Sequence, residues 1–141
     1  PISPWGELRQ KTLLALYHRR FRRIVRYVER RSREAGERAW VSGACLLIRR
    51  ADLEAVGGLD ERFFMYTEDV DLCTSVRARG RRVLFVPQAE VVHLVGRSAR
   101  RNPETERLRR MSHLAFYEKH LPHWVGLLRL YLRVTGKTAD A

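Results

Sequence analysis

The chain has 141 residues, 45% of them hydrophobic, which is enough for one domain with a core of its own and argues against wholesale disorder. Its formal net charge of +12 is spread unevenly: residues 1–40 hold 11 Lys/Arg against 4 Asp/Glu, residues 41–95 hold 7 against 8, and residues 96–141 hold 10 against 4. Basic flanks around a neutral middle suit an anionic partner such as lipid, nucleic acid or a phosphorylated substrate, but not one broad phosphate-binding face.

No uninterrupted apolar run reaches the roughly 18–20 residues that a membrane span needs. The chain begins on Pro1 rather than Met, so we expect it to be processed or cut from something longer, a start that would hide any leader. Cys45 and Cys73 show no CxxC spacing and sit in apolar or helical contexts, which predicts buried thiols in a reducing compartment rather than a disulfide framework or a zinc site.

Taken in order, residues 1–6 contain two prolines and a glycine and read as loop. From Glu7 to about Arg33, Leu14, Tyr17, Phe21, Ile24 and Val28 recur at spacings of three and four, and Leu13 and Val25 widen that stripe. Arg19, Arg22, Arg23, Arg26 and Arg30 fill much of the remainder, so the prediction is one basic amphipathic helix. Such a helix either lies on an anionic membrane surface or packs on the protein's own core with its arginines solvated, and periodicity leaves both open.

Ser32 to Arg38 reads as a linker. Trp40 to Ile48 is an apolar run closed by Arg49-Arg50 and predicts a strand buried on both faces, in which Ser42, Gly43 and Ala44 would admit a close neighbour. Asp52 to Val56 predicts a short helical turn stopped by Gly57-Gly58. A helix follows from about Thr67 to Arg79, with Thr67 as N-cap, Leu72, Cys73 and Val76 inward and Gly80 as its stop. Arg82 to Val86 predicts a strand ended by Pro87, and Glu90 to Leu94 a second extended piece carrying His93. Gly96 to Pro103 is polar. Arg107 to His120 predicts a helix, Pro122 breaks it, and Trp124 to Val134 predicts a last, mostly apolar helix. There are no internal repeats.

The densest chemistry lies in Glu68-Asp69-Val70-Asp71, three carboxylates in four positions. Acids in a first helical turn complement the helix dipole, worth about 0.3–1 kcal/mol each, and that alone explains many such clusters. Here the acids follow Phe63-Phe64-Met65-Tyr66, so they would emerge beside an apolar wall, and three like charges repel one another in a way that a plain cap does not require.

Trp40-Val41-Ser42-Gly43-Ala44, Val56-Gly57-Gly58-Leu59-Asp60-Glu61-Arg62-Phe63-Phe64, Glu68-Asp69-Val70-Asp71-Leu72, Pro87 and His93 occur in an order that resembles the C-terminal half of family 2 glycosyltransferases. Bacterial rhamnosyltransferase-like members look most similar. The resemblance covers roughly residues 40–98. It implies an α/β fold, the C-terminal portion of a GT-A (Rossmann-like) domain, flanked here by basic amphipathic helices: residues 1–39 a basic helix and linker, 40–98 the catalytic half, 99–141 a helical extension. It also implies inverting transfer of a sugar from a nucleotide-sugar to a cell-envelope, glycan or lipid-linked acceptor.

The resemblance makes Asp69 the general base. An acceptor hydroxyl is a poor nucleophile until its proton is taken, and a helix N-terminus holds such a base rigidly and favours its charged form. It makes His93 a ligand of a divalent metal, Mn²⁺ or Mg²⁺, that neutralises the departing diphosphate. Trp40, Gly43, Glu68 and Asp71 are acceptor- or substrate-side candidates: an indole face stacks on sugar, carboxylates accept from sugar hydroxyls, and Gly43 with Ala44 admits a close approach. Trp40 reads equally as core. Arg97, Arg100 and Arg101 read as a diphosphate clamp or as solvated charges, and His120 and His123 as surface.

Two departures qualify the resemblance. The only Asp-x-Asp spacing is Asp69-Val70-Asp71 itself, so the nucleotide-binding half with its metal motif is expected to lie before residue 1, and the chain alone is expected to be inactive. Ser75 stands where similar sequences carry an arginine. The expected location is the cytoplasm, at the inner face of the plasma membrane, with no nucleic-acid partner. The competing reading is a non-catalytic basic helical module that binds anionic membrane or nucleic acid.

Overall fold

A computed structural model describes residues 3–94 and 103–137 of the chain. Arg97, Arg100 and Arg101 lie outside them.

The N-terminal stripe forms two helices, not one. Helix α1 runs Pro4–His18: the Ser3 hydroxyl accepts from the Gly6 N–H at 3.0 Å, and Pro4 fits the first turn, where its missing N–H costs nothing. The predicted loop at the start is therefore helix from Pro4 onward. Helix α2 runs Arg22–Arg33. Between them Arg20 adopts a left-handed conformation (φ 58°), while the N–H groups of Arg20 and Phe21 bond back to the carbonyls of Tyr17 and Leu16. That pair of bonds closes a Schellman motif, usually built on glycine. Substituting Arg20→Gly should relieve the left-handed strain and stabilise the protein by up to about 1 kcal/mol. A thermal melt that failed to rise would disprove it.

Strand β1 (Gly36–Arg38) pairs antiparallel with β2 (Val83–Phe85), in the register Gly36 with Phe85 and Arg38 with Val83. Arg38 also closes α2: its guanidinium donates to the carbonyls of Arg31 (3.0 Å) and Glu34 (2.8 Å) and lies over the Phe85 ring.

The run predicted as a doubly buried strand is not one. Residues 40–48 pass through a single 3-10 turn at Gly43–Cys45, and Leu47 is fully exposed. A strand needs a neighbour for its ladder, and no strand pairs with this run among the described residues. Cys45, expected inside, is exposed; Cys73 is buried, and its thiol is pushed up by burial. Residues 90–94 are irregular and exposed rather than extended in a ladder.

Helix α3 (Arg50–Ala55) ends at Gly57 as expected. Helix α4 (Glu68–Ala78) is the hub: Val70 enters one apolar cluster with Phe63, Phe116, Tyr117, Leu128 and Leu132, while Leu72, Cys73 and Val76 form a second with Val83. The first cluster is completed by α5 (Pro103–His120) and α6 (Val125–Val134), joined through a 3-10 turn at Pro122–Trp124. The helices thus share a core with the segment that carries the acids. Helix α1 is tied to α5 through Glu7, whose carboxylate accepts from the Tyr117 hydroxyl at 2.7 Å and faces His113 Nε2 at 3.0 Å. Burial alone would raise the Glu7 carboxyl, but those two partners outweigh it and hold it below its ordinary value.

Candidate active site

The chain approaches the acids through a tight turn. Asp60 Oδ1 accepts from the Arg62 backbone N–H at 3.1 Å and from its guanidinium at 3.0 Å, and the Phe63 N–H bonds back to the Asp60 carbonyl. Phe63 is buried, whereas Phe64 is 78% exposed, so the expected aromatic wall is split between core and surface. Tyr66 and Thr67 then both take left-handed conformations (φ 66° and 71°). Two consecutive non-glycine residues there are costly and persist only where the surroundings enforce them. Part of that enforcement is visible: the buried Ser112 hydroxyl of α5 donates to the Met65 carbonyl at 2.9 Å. Thr67 occupies the N-cap position of α4 without capping through its side chain; its carbonyl accepts from the Asp71 N–H.

This turn delivers the three acids to three different environments. Asp69 is half-buried, with Oδ2 accepting from the Gly43 N–H at 2.9 Å and Oδ1 from the Val70 N–H at 2.8 Å. Each oxygen has one protein donor and keeps a free lone-pair direction. Gly43 matters because of this contact: a Cβ there would stand 3.4 Å from the Asp69 Cβ. Glu68 is also half-buried, and its Oε2 is enclosed with no hydrogen-bond partner among the described residues.

Asp71 points the other way. It is 3% exposed, with Oδ2 accepting from Lys119 Nζ at 2.9 Å and Oδ1 standing 2.6 Å from His120 Nε2. Lys119 also reaches Asp60 Oδ2 at 2.9 Å and lies over the Phe63 ring. Burial pulls the Lys119 ammonium down, and the two carboxylates more than compensate, leaving it raised. Asp60, held first by Arg62 and then by Lys119, sits well below the ordinary carboxylate range. Asp71 therefore joins α4 to α5, and we assign it no acceptor contact. His120, expected on the surface, belongs to this cluster. Its signal in the sequence was spacing: Ser112, Phe116 and His120 are four apart and share the buried side of α5.

Trp40 packs against both apolar clusters, which is the core alternative of its reading. Ser75 is half-buried on α4. His93 is exposed on an irregular segment, and no group of three or more His, Cys, Asp and Glu able to hold a metal occurs among the described residues. The described residues do not form a metal centre by themselves. None of the described helices is long and apolar enough to cross a membrane.

The Asp69 carboxylate is thus held by two backbone donors at the start of α4, on a turn with two left-handed residues. Residues 6–126 match the family described as glycosyltransferase like family 2, and the chain belongs to it. Membership implies a GT-A fold, with which a helix-rich unit carrying a two-stranded sheet is compatible as a part, and members commonly use a divalent metal. Over 96 residues the chain is 40% identical to the N-acetylglucosaminyl-diphospho-decaprenol L-rhamnosyltransferase of Mycobacterium tuberculosis, covering 67% of this chain and 31% of that protein. It is 39% identical over 54 residues to rhamnosyltransferase WbbL of Escherichia coli K12, covering 38% of this chain and 20% of that protein. It is 40% identical over 58 residues to the O-antigen biosynthesis protein RfbC of Myxococcus xanthus, covering 40% of this chain and 4% of that protein. The chain thus spans about a third of the length of the first of these relatives, 31%, and less of the others. No solved structure matches it.

Proposed function

We propose that these residues form the acceptor-side part of an inverting, nucleotide-sugar-dependent GT-A glycosyltransferase, and that Asp69 is its general base. The observation that carries the reading is the pinning of Asp69 to the Gly43 N–H across 26 residues of sequence, which fixes the carboxylate while leaving lone pairs open. In the reaction, Asp69 takes the proton of an acceptor hydroxyl as that oxygen bonds to the anomeric carbon. The bond from the anomeric carbon to the diphosphate oxygen breaks on the opposite face, and the nucleoside diphosphate leaves with that electron pair. Glu68, half-buried at the start of α4, accepts from a sugar hydroxyl. A nucleotide-sugar donor places the reaction in the cytoplasm.

The names of the relatives suggest the first substrates to try: an activated L-rhamnose as donor and N-acetylglucosaminyl-diphospho-decaprenol as acceptor. The full-length protein is incubated with both, and the lipid-linked product is read by mass and by NMR of the new anomeric centre. The expected result is the gain of one deoxyhexose with inverted anomeric configuration. Absence of transfer to this acceptor and to a panel of other polyprenyl-linked glycans, with several nucleotide-sugars, would remove the reading.

A further inference from the structure

The sugar-transfer reading leaves the N-terminal helix pair unexplained. No residue of α1 or α2 is buried. On α2 the half-buried residues are Ile24, Val25 and Val28. At 3.6 residues per turn each position advances about 100°, so Arg22, Arg23, Arg26, Arg30 and Arg33 fall within an arc of about 100° on the opposite side. All five are exposed. Among the described residues, Arg30 alone of the five has a carboxylate within ion-pair distance, Glu34 at 3.5 Å, and that pair is solvated.

Charge is only half of what this pair presents. By the same geometry Trp5, Leu8, Thr12 and Ala15 share one outward strip of α1. Trp5 is 72% and Leu8 56% exposed. Tyr27, 45% exposed, borders the arginine arc on α2. The pair is also fixed to the rest of the molecule at both ends, by Glu7 to α5 and by Arg38 between the last carbonyls of α2 and the Phe85 ring. Trp5 and Leu8, three apart, are neighbours on the surface of α1 and present apolar area to the outside.

We propose that the outer faces of α1 and α2 dock on the surface of an anionic lipid bilayer, the arginines at the phosphate level and Trp5 and Leu8 in the interfacial region. Arginine stems snorkel along apolar surface with the guanidinium at phosphate height, and an indole suits the same depth. A nucleic acid offers phosphates but nothing to take an exposed leucine, and the nearly neutral middle of the chain adds nothing to a phosphate-binding track. The inference needs neither Asp69 nor a sugar donor, so it stands or falls apart from the sugar-transfer reading.

The test is flotation of the purified protein with vesicles of phosphatidylcholine alone or mixed with phosphatidylglycerol. Binding is expected to the mixed vesicles only and to weaken as salt rises. The triple change Arg22→Gln, Arg26→Gln and Arg30→Gln should weaken it about a hundredfold, since each basic residue near an anionic surface contributes about a factor of five. Changing the exposed Arg49, Arg79 and Arg82, which belong to neither α1 nor α2, to Gln should leave it within about threefold. Trp5→Ala with Leu8→Gln should reduce binding that persists at high salt. All of these positions are exposed, and circular dichroism checks that each variant keeps its helices. Equal binding to neutral vesicles, no binding, or equal losses from the two arginine sets would overturn the proposal. So would tighter binding to a single-stranded oligonucleotide than to mixed vesicles, with the Trp5 and Leu8 changes silent.

Discussion

Asp69→Asn is expected to lower sugar transfer by about three orders of magnitude, the middle of the range for losing a positioned general base. Asparagine has nearly the same shape, so the change removes proton acceptance with little change in volume. It is not structurally free. Asp69 accepts from two backbone N–H groups, one on each oxygen, and an amide offers only one acceptor oxygen. One of the Gly43 and Val70 donors therefore loses its partner, at a cost of about 1 kcal/mol. The local cost and the chemical one separate by measurement: the melting temperature should fall only slightly and donor affinity should hold, while turnover collapses. Asp69→Glu sharpens the distinction. It keeps the carboxylate but lengthens the arm, so it should retain more activity than the amide while losing the Gly43 contact. Transfer by the asparagine variant within tenfold of the parent would remove Asp69 as the base.

Legibility in the sequence divides along the range of the forces involved. Helix α4 could be read because its apolar positions repeat locally and Gly80 supplies the left-handed residue that its end requires. The break between α1 and α2 could not, because Arg20 is an ordinary helix former and nothing in its type announces φ 58°. The run from Trp40 to Ile48 carries every compositional mark of a buried strand. A strand, however, is a relation between two segments, and the only ladder described lies just beside it, at Gly36–Arg38.

The acidic cluster shows the same division inside four residues. Its place at a helix start was legible, and so was the suspicion that three acids exceed what a cap needs. Which acid faces outward was not. Asp71 turns inward because Lys119 and His120, 48 and 49 residues further on, wait there, and Asp69 turns to Gly43, 26 residues before it. Asp69 and Asp71, like charges that would repel in a shared pocket, are parted onto different faces, each with its own partners.

Removing the inward acid should cost more stability than any other single change considered. Asp71→Ala leaves Lys119 and His120 facing an enclosed void. Breaking a buried ion pair from one side costs about 3–5 kcal/mol, and this case should fall near the lower end, because Lys119 keeps Asp60. With Lys119 still held by Asp60, a loss of about 3 kcal/mol is expected, a large share of the 5–15 kcal/mol that holds a typical domain and roughly 10 °C in melting temperature at this length. Replacing the whole cluster tests the cause: Asp71→Leu with Lys119→Met and His120→Phe should recover most of the loss, since apolar residues of matched volume need no partners there. Acid supplies a second check through Asp60. Its carboxyl lies well below the ordinary Asp range in the folded protein, so its contribution is complete at neutral pH and is lost as pH falls through and below that range. Lys119→Met removes one of the groups holding it down, so the variant should lose less stability on acidification than the parent. An unchanged melting temperature for Asp71→Ala would show that the inward acid does not hold α4 to α5. The geometry of the Asp69 turn would then have to come from Ser112 and the apolar core alone.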